Sequence, residues 1–182
     1  MTQHRQDDCL LCTMEAADEN MIVFRDELWA AEVVEGYEVP GWFILRVRRH
    51  AERITGLNDD ELAALAYRAR NMVAAVSQVM RAAATYMLVF GENFPHFHVL
   101  IAARNEEIPA DRRGGDIMKL RTERADVSAA VALIPTVRSA YLALASAEKV
   151  TVRRFNDQFA HSTGLPSPSI HPLPGDAQGA DV

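Results

Sequence analysis

Between residues 57 and 80 the chain carries one continuous apolar stripe, which limits what the rest of it can be. Leu62, Leu65, Ala69, Met72 or Val73, Val76, and Val79 or Met80 recur at the spacing of an α-helix, predicting a helix over 59–83. Asn58 is placed to cap it, Glu61 three residues on completes a capping box, and Leu57 and Leu62 flank the cap as a hydrophobic staple. A helix with one apolar face must lay that face on a partner, and the flanking segments supply strands. Residues 21–25 and 28–34 read as a hairpin turning at Asp26 and Glu27, and 41–47 as a third strand after Pro40 and Gly41. Two more strands, 86–90 and 96–103, are joined by a connection short enough for an antiparallel hairpin. A polar loop follows over 104–115, then a helical turn at 117–120. A second helix over 127–145 is expected to kink or divide at Pro135. The fold class is α+β, an antiparallel sheet on a long helix with a C-terminal helical extension. The expected division is a disordered 1–8, a domain over 9–104, the extension over 105–160, and a disordered tail over 161–182 rich in Pro, Ser, Gly and Asp.

Composition narrows the function. Of 182 residues, 49% are apolar, enough for a real core. The net charge of −6 disfavours bulk nucleic-acid binding, while a local basic pocket for a small phosphate ligand stays open. No apolar run approaching ~18–20 residues stands out as a membrane span. The polar N-terminus lacks the apolar core of a signal peptide, so a cytoplasmic protein is expected. In a reducing compartment Cys9 and Cys12 should not form a structural disulfide. Their Cys-x-x-Cys spacing reads as a metal knuckle or a redox pair.

Two groups of residues could carry chemistry. Cys9 and Cys12 on one tight turn, with His50 after one strand and His96 opening another, make a Cys₂His₂ set of the kind that closes around zinc. On the strand from His96, alternation puts His96, His98 and Leu100 on one face and Phe97, Val99 and Ile101 on the other. The second face suits a core, and the first presents two imidazoles, which are good nucleophiles towards phosphorus. Arg46 and Arg48 share a strand face, and Asn93 and Arg104 flank the motif strand. Arginine suits bidentate phosphate contact. Arg112-Arg113-Gly114-Gly115 lacks the Gly-x-x-x-x-Gly-Lys pattern of a phosphate loop and is left as a loop that could cover the site.

These residues resemble the histidine-triad (HIT) family, whose strand motif is His-x-His-x-His with apolar residues between. Phe94-Pro95-His96-Phe97-His98-Val99-Leu100-Ile101-Ala102-Ala103-Arg104 lies on the bacterial form of that motif without a gap. Leu100 stands where the third histidine would be, and Ala103 where a proline would be. Cys9-Leu10-Leu11-Cys12, and the stretch from Gly41 to Arg48-Arg49-His50, look like two further features of the zinc-bearing branch. The resemblance covers roughly 9–104. It implies a meander sheet on a long helix, usually as a homodimer. It also implies nucleotide binding, with cleavage or transfer at the α-phosphorus through a nucleotidyl-histidine intermediate. By position, Cys9, Cys12, His50 and His96 would hold a structural zinc, and His98 would be the nucleophile. A second register puts Phe94 first, His96 as nucleophile and His98 third, and loses the fourth zinc ligand. The chain departs from the family in Leu100 and in a short Gly91-Glu92-Asn93 lead-in without Gln or Ser. These departures keep a second reading in play, a non-catalytic zinc-bearing nucleotide-binding or interaction module. A redox protein working through Cys9 and Cys12 is the third.

Overall fold

The computed structural model describes residue 6 and residues 8–163, with side chains as far as residue 147. The expected tails, 1–8 and 161–182, lie for the most part outside the described residues. A short helix, α1 (Leu10–Thr13), opens the fold and runs into a 3₁₀ turn, Met14–Ala16. Strands β1 (Ile22–Arg25), β2 (Trp29–Glu32) and β3 (Trp42–Val47) follow, then helix α2 (Asp59–Met80). Next come β4 (Ala84–Leu88) and β5 (His98–Arg104). After two 3₁₀ turns, Ala110–Arg112 and Gly114–Lys119, the chain ends its described course in α3 (Leu120–Glu123) and α4 (Val127–Thr163).

The sheet has the order β1-β2-β3-β5-β4, with every pair antiparallel. The hairpin of β4 and β5 therefore inserts β5 beside β3 and leaves β4 at the edge.

Strand alternation divides the core in two. On one face Trp29, Phe43, Leu45, Val99 and Ile101 pack against α2 and against Ala130, Ile134, Val137 and Tyr141 of α4. On the other Trp42, Ile44, Leu100 and Ala102 pack against Leu11 of the N-terminal helix and Ile108, Ile117 and Leu120 of the C-terminal segment. The two tryptophans are fully buried on opposite faces. The Trp29 indole donates to the Glu61 carbonyl at 3.1 Å, whereas the Trp42 indole N–H has no partner.

Helix α2 begins where the capping box places it. The Glu61 N–H donates to Asn58 Oδ1 at 2.8 Å, and the Asn58 N–H to Glu61 Oε2 at 2.9 Å. Two details differ from the sequence reading. The buried stripe runs through Ala64, Ala69, Met72, Ala75 and Val76, while Leu62 is 40% exposed. Alanine lets a helix approach a sheet closely, so small residues mark the contact face. The helix also stops at Met80, because Arg81 turns left-handed (φ 48°) and the Ala82 N–H bonds back to the Ser77 carbonyl.

Helix α4 runs unbroken through Pro135, which is exposed, so the expected division does not occur. Its segment Val127–Ala147 is long and apolar enough to cross a membrane, contrary to the sequence reading. Here its apolar stripe is a core face, with Ala130, Ile134, Val137 and Tyr141 all buried.

Candidate metal centre and the histidine face

Cys9 and Cys12 lie at the N-cap and within the single turn of α1, so one tight turn presents both sulfurs. His50 lies just beyond β3, and His96 precedes β5 by two residues. His96 sits outside the strand because its N–H bonds locally to the Phe94 carbonyl, and the Phe97 N–H goes to Ala51. The turn so formed drives the His96 side chain into the cluster. The ligand atoms of Cys9, Cys12, His50 and His96 all lie within 4.8 Å of one another. His96 Nδ1 is 3.5 Å from both sulfurs, and His50 Nδ1 is 3.4 Å from Cys12 Sγ.

This set fits a tetrahedral metal. Metal–sulfur bonds of about 2.3 Å and metal–nitrogen bonds of about 2.0–2.1 Å put sulfur and nitrogen about 3.6 Å apart at a tetrahedral angle, close to the spacing seen. The protonation pattern fits as well. His96 Nε2 lies 2.6 Å from the Val47 carbonyl, which only accepts, so Nε2 holds the proton and Nδ1 turns its lone pair toward the sulfurs. Burial pushes the His96 imidazole down to about 4, which keeps it neutral; it also raises the Cys12 thiol, a cost that the charge of a metal would offset by holding the thiolate. His50 Nε2 is buried without a partner. Arg49, beside His50, forks onto Glu61 at 2.7 and 2.9 Å and ties the loop to the start of α2.

His98 opens β5 and is 7% exposed. Its Nδ1 donates to the His96 carbonyl at 2.6 Å, leaving the lone pair on Nε2. Burial lowers its pKa and favours the neutral ring. The Phe94 ring stands edge-on at 6.3 Å, and Leu100 follows on the same face.

The other expected residues are placed differently. Arg46 lies opposite His98 in the sheet register and on the same face, but it is fully buried between Glu32 and Glu15. Arg48 also grips Glu15, at 2.8 Å, and donates to the Asp26 carbonyl. Both arginines are thus engaged by carboxylates rather than open to a ligand. Burial alone would raise Glu15, but hydrogen bonds from Arg48 and Arg46 outweigh it and hold the carboxyl at about 2. Glu32 lies deeper, and burial raises its pKa. Arg104 is six residues along β5 from His98, about 20 Å at strand rise, so the two cannot share one phosphate. Asn93 is exposed on the turn leading to Phe94.

Sequence reasoning missed Glu15 and Glu32. Glu32 stood in an apolar run, Trp29 to Val34, and a charge there implies a buried partner. Tyr37 and Arg121, described below, carried no such signal.

An open antiparallel sheet of this order packed on a long helix is the fold of the histidine triad proteins. No protein-family model matches the sequence, nor does any curated protein. Solved structures do match in fold. A hypothetical histidine triad nucleotide-binding protein from Sulfolobus tokodaii is 20% identical, with 75% of this chain and 93% of that chain covered and a TM-score of 0.59. A zinc-bound histidine triad family protein from Mycobacterium smegmatis is 15% identical, covering 77% and 97%, with a TM-score of 0.58. A uridylyltransferase is 19% identical, covering 74% of this chain but 45% of its own, with a TM-score of 0.52.

Proposed function

We propose that this chain is a nucleotide hydrolase or nucleotidyl transferase that works at an α-phosphorus through His98 on a structural-zinc scaffold. The observation that carries this reading is the tautomer of His98. With Nδ1 bonded to the His96 carbonyl, Nε2 holds a lone pair on a ring kept neutral by burial. In the proposed reaction Nε2 attacks phosphorus, forming a P–N bond as the bond to the leaving group breaks. The leaving group departs with the electron pair and takes up a proton. Water or another acceptor then attacks phosphorus, breaks the P–N bond and restores the imidazole.

Cys9, Cys12, His50 and His96 would hold the zinc. With four protein ligands it leaves no position for activating water, and its contribution is to fix the strand. The zinc-bound neighbour and the quartet geometry support this assignment over a redox pair. They also favour the register with His96 first, since the other discards a ligand that the geometry supplies. Asn93 is the expected phosphate contact that remains free. A nucleotide or nucleotide conjugate is the proposed ligand, with no bulk nucleic acid, in a cytoplasmic homodimer. The open edge of β4, with Met87, Val89 and Phe90 exposed, suits the dimer.

The test is His98→Ala, assayed across a panel of nucleoside phosphoramidates and dinucleoside polyphosphates. The expected result is loss of turnover with metal content unchanged, and rapid quench of the wild type with radiolabelled substrate should place label on His98. The second reading, a nucleotide-binding module without turnover, is favoured by Leu100 at the third motif position and by the engaged arginines. It predicts ligand-dependent heat shifts with no product and no label.

A further inference from the structure

We propose that residues 105–126 form a latched lid over the histidine face of the sheet. The segment leaves β5 after Arg104 and folds back across the face that carries His98 and Leu100. It buries Ile108, Ile117 and Leu120 to between 0% and 5% exposure, in one cluster with Leu100 and Ala102. A row of contacts then runs from the lid to His98. Arg121 Nε donates to the Gly36 carbonyl, and its guanidinium carbon lies 4.3 Å from the centre of the Tyr37 ring. Tyr37 meets the Phe94 ring edge-on at 6.2 Å, and Phe94 meets His98 at 6.3 Å.

Three observations distinguish a movable cover from a fixed wall. First, the side-chain bonds of the segment are mostly internal. Arg112 pairs with Glu123, Arg124 with Glu107 and Lys119 with Asp116, and Arg113 donates to the Ile108 carbonyl. Among the described residues its hydrogen bonds outward are Arg121 to Gly36 and Gly114 N–H to the Tyr86 hydroxyl at 3.2 Å in its middle, and at its far end those of Asp126, whose N–H donates to the Glu38 carbonyl and whose side chain accepts from Ala129 N–H. Such a segment holds its own shape, is anchored at its far end by Asp126, and between its ends is pinned by hydrogen bonds only through Arg121 and Gly114. Second, it is built of short 3₁₀ turns and one helical turn, with Gly114 left-handed (φ 62°) and open space around Gly115. Third, a solvent-open depression of about 410 Å³ lies at its root, walled by Val39, Pro40 and Met80 on one side and Asn105 and Leu120 on the other. Asn105 Oδ1, in its wall, and the adjoining Arg104 Nε are buried without hydrogen-bond partners among the described residues. Opening is local: the Gly114–Arg121 side lifts when the Arg121 latch releases, while Ile108 keeps the root in place.

The lid concerns access to His98 and is measured without turnover, so it stands apart from the catalytic proposal. The experiment carbethoxylates the full, metal-loaded chain with diethyl pyrocarbonate and follows the His98 peptide by mass spectrometry, alongside amide exchange over 108–120. Arg121→Ala removes a hydrogen bond from a charged donor, so His98 should react about tenfold faster, with faster exchange over 108–120. Tyr86→Phe removes only the neutral pin and should speed His98 by about threefold. If Arg121→Ala does not fold, Tyr86→Phe carries the comparison. Unchanged His98 reactivity in the folded variants, with 108–120 exchanging as slowly as β5, would overturn the lid and make this segment a permanent layer.

Discussion

His96 and His98 stand two residues apart and differ in which nitrogen each offers. The carbonyl of Val47 takes the His96 proton on Nε2 and turns Nδ1 to the sulfurs. The carbonyl of His96 takes the His98 proton on Nδ1 and leaves Nε2 bare. Replacing His96 with Ala should therefore abolish stoichiometric metal binding by native mass spectrometry, whereas His98→Ala should retain the ion. Glu15 gives a second prediction. Its folded pKa of about 2 lies below the ordinary 4.5, so its contribution is complete above about 4.5 and is lost as pH falls toward 2. A shift of this size on a side chain only 8% exposed corresponds to on the order of 3 kcal/mol. Glu15→Gln should be less stable than wild type by roughly that amount at pH 7. In urea melts across pH, the gap should close between pH 4.5 and 2. The cysteines and histidines of the knuckle were legible because each is rare and chemically specific. The pairing of Glu15 and Glu32 with arginine was not, because a local sequence window does not show which charges a 3₁₀ turn and two neighbouring strands bring together.

Elements were legible in their existence and less so in their phase. Asn58 and Glu61 marked the start of α2 because a capping box is a local hydrogen-bond pattern. Asn58→Ala should cost about 1 kcal/mol and lower the melting temperature by about 2–4 °C, read by circular dichroism. Of the apolar stripe read for the same helix, Ala69, Met72 and Val76 are buried and Ala64 and Ala75 join them, while Leu62 lies at the surface. Tertiary packing decides that choice, which residue size alone does not reveal. β4 begins two residues before the expected strand, since the exposed Val89 and Phe90 are apolar without being in the ladder. Gly41 makes a sharper point. At φ 86° it admits a side chain poorly, and a Cβ there would lie 2.9 Å from Met80 and 3.1 Å from Ala103. Gly41→Ala should destabilise by about 1–3 kcal/mol in chemical denaturation, by strain and crowding together.

At the scale of the whole molecule, the sheet separates two cores of different character. The helix-side core rests on apolar packing, whereas the other gathers the knuckle, the histidine face and the C-terminal segment. Metal removal should act on them unequally. A chelator should lower the melting temperature and raise amide exchange over residues 9–16 well before it loosens α2, because the ion's contribution is local to the groups it joins. The antiparallel sheet and the long helix packed on it were readable from motifs and periods. The packing of 105–126 was not, because that stretch is polar and irregular, and its few aliphatic residues show no period.

The placement of the two tryptophans has a practical consequence. Trp29, its indole bonded to Glu61, sits against the helices, and Trp42, its indole unpaired among the described residues, lies on the opposite face, in the layer that also holds the knuckle. With only two such residues in the chain, each layer carries its own intrinsic fluorophore. A Trp29→Phe protein would glow only from the metal side, and a Trp42→Phe protein only from the helix side. The two emission traces could then time the loosening of each layer without any added dye.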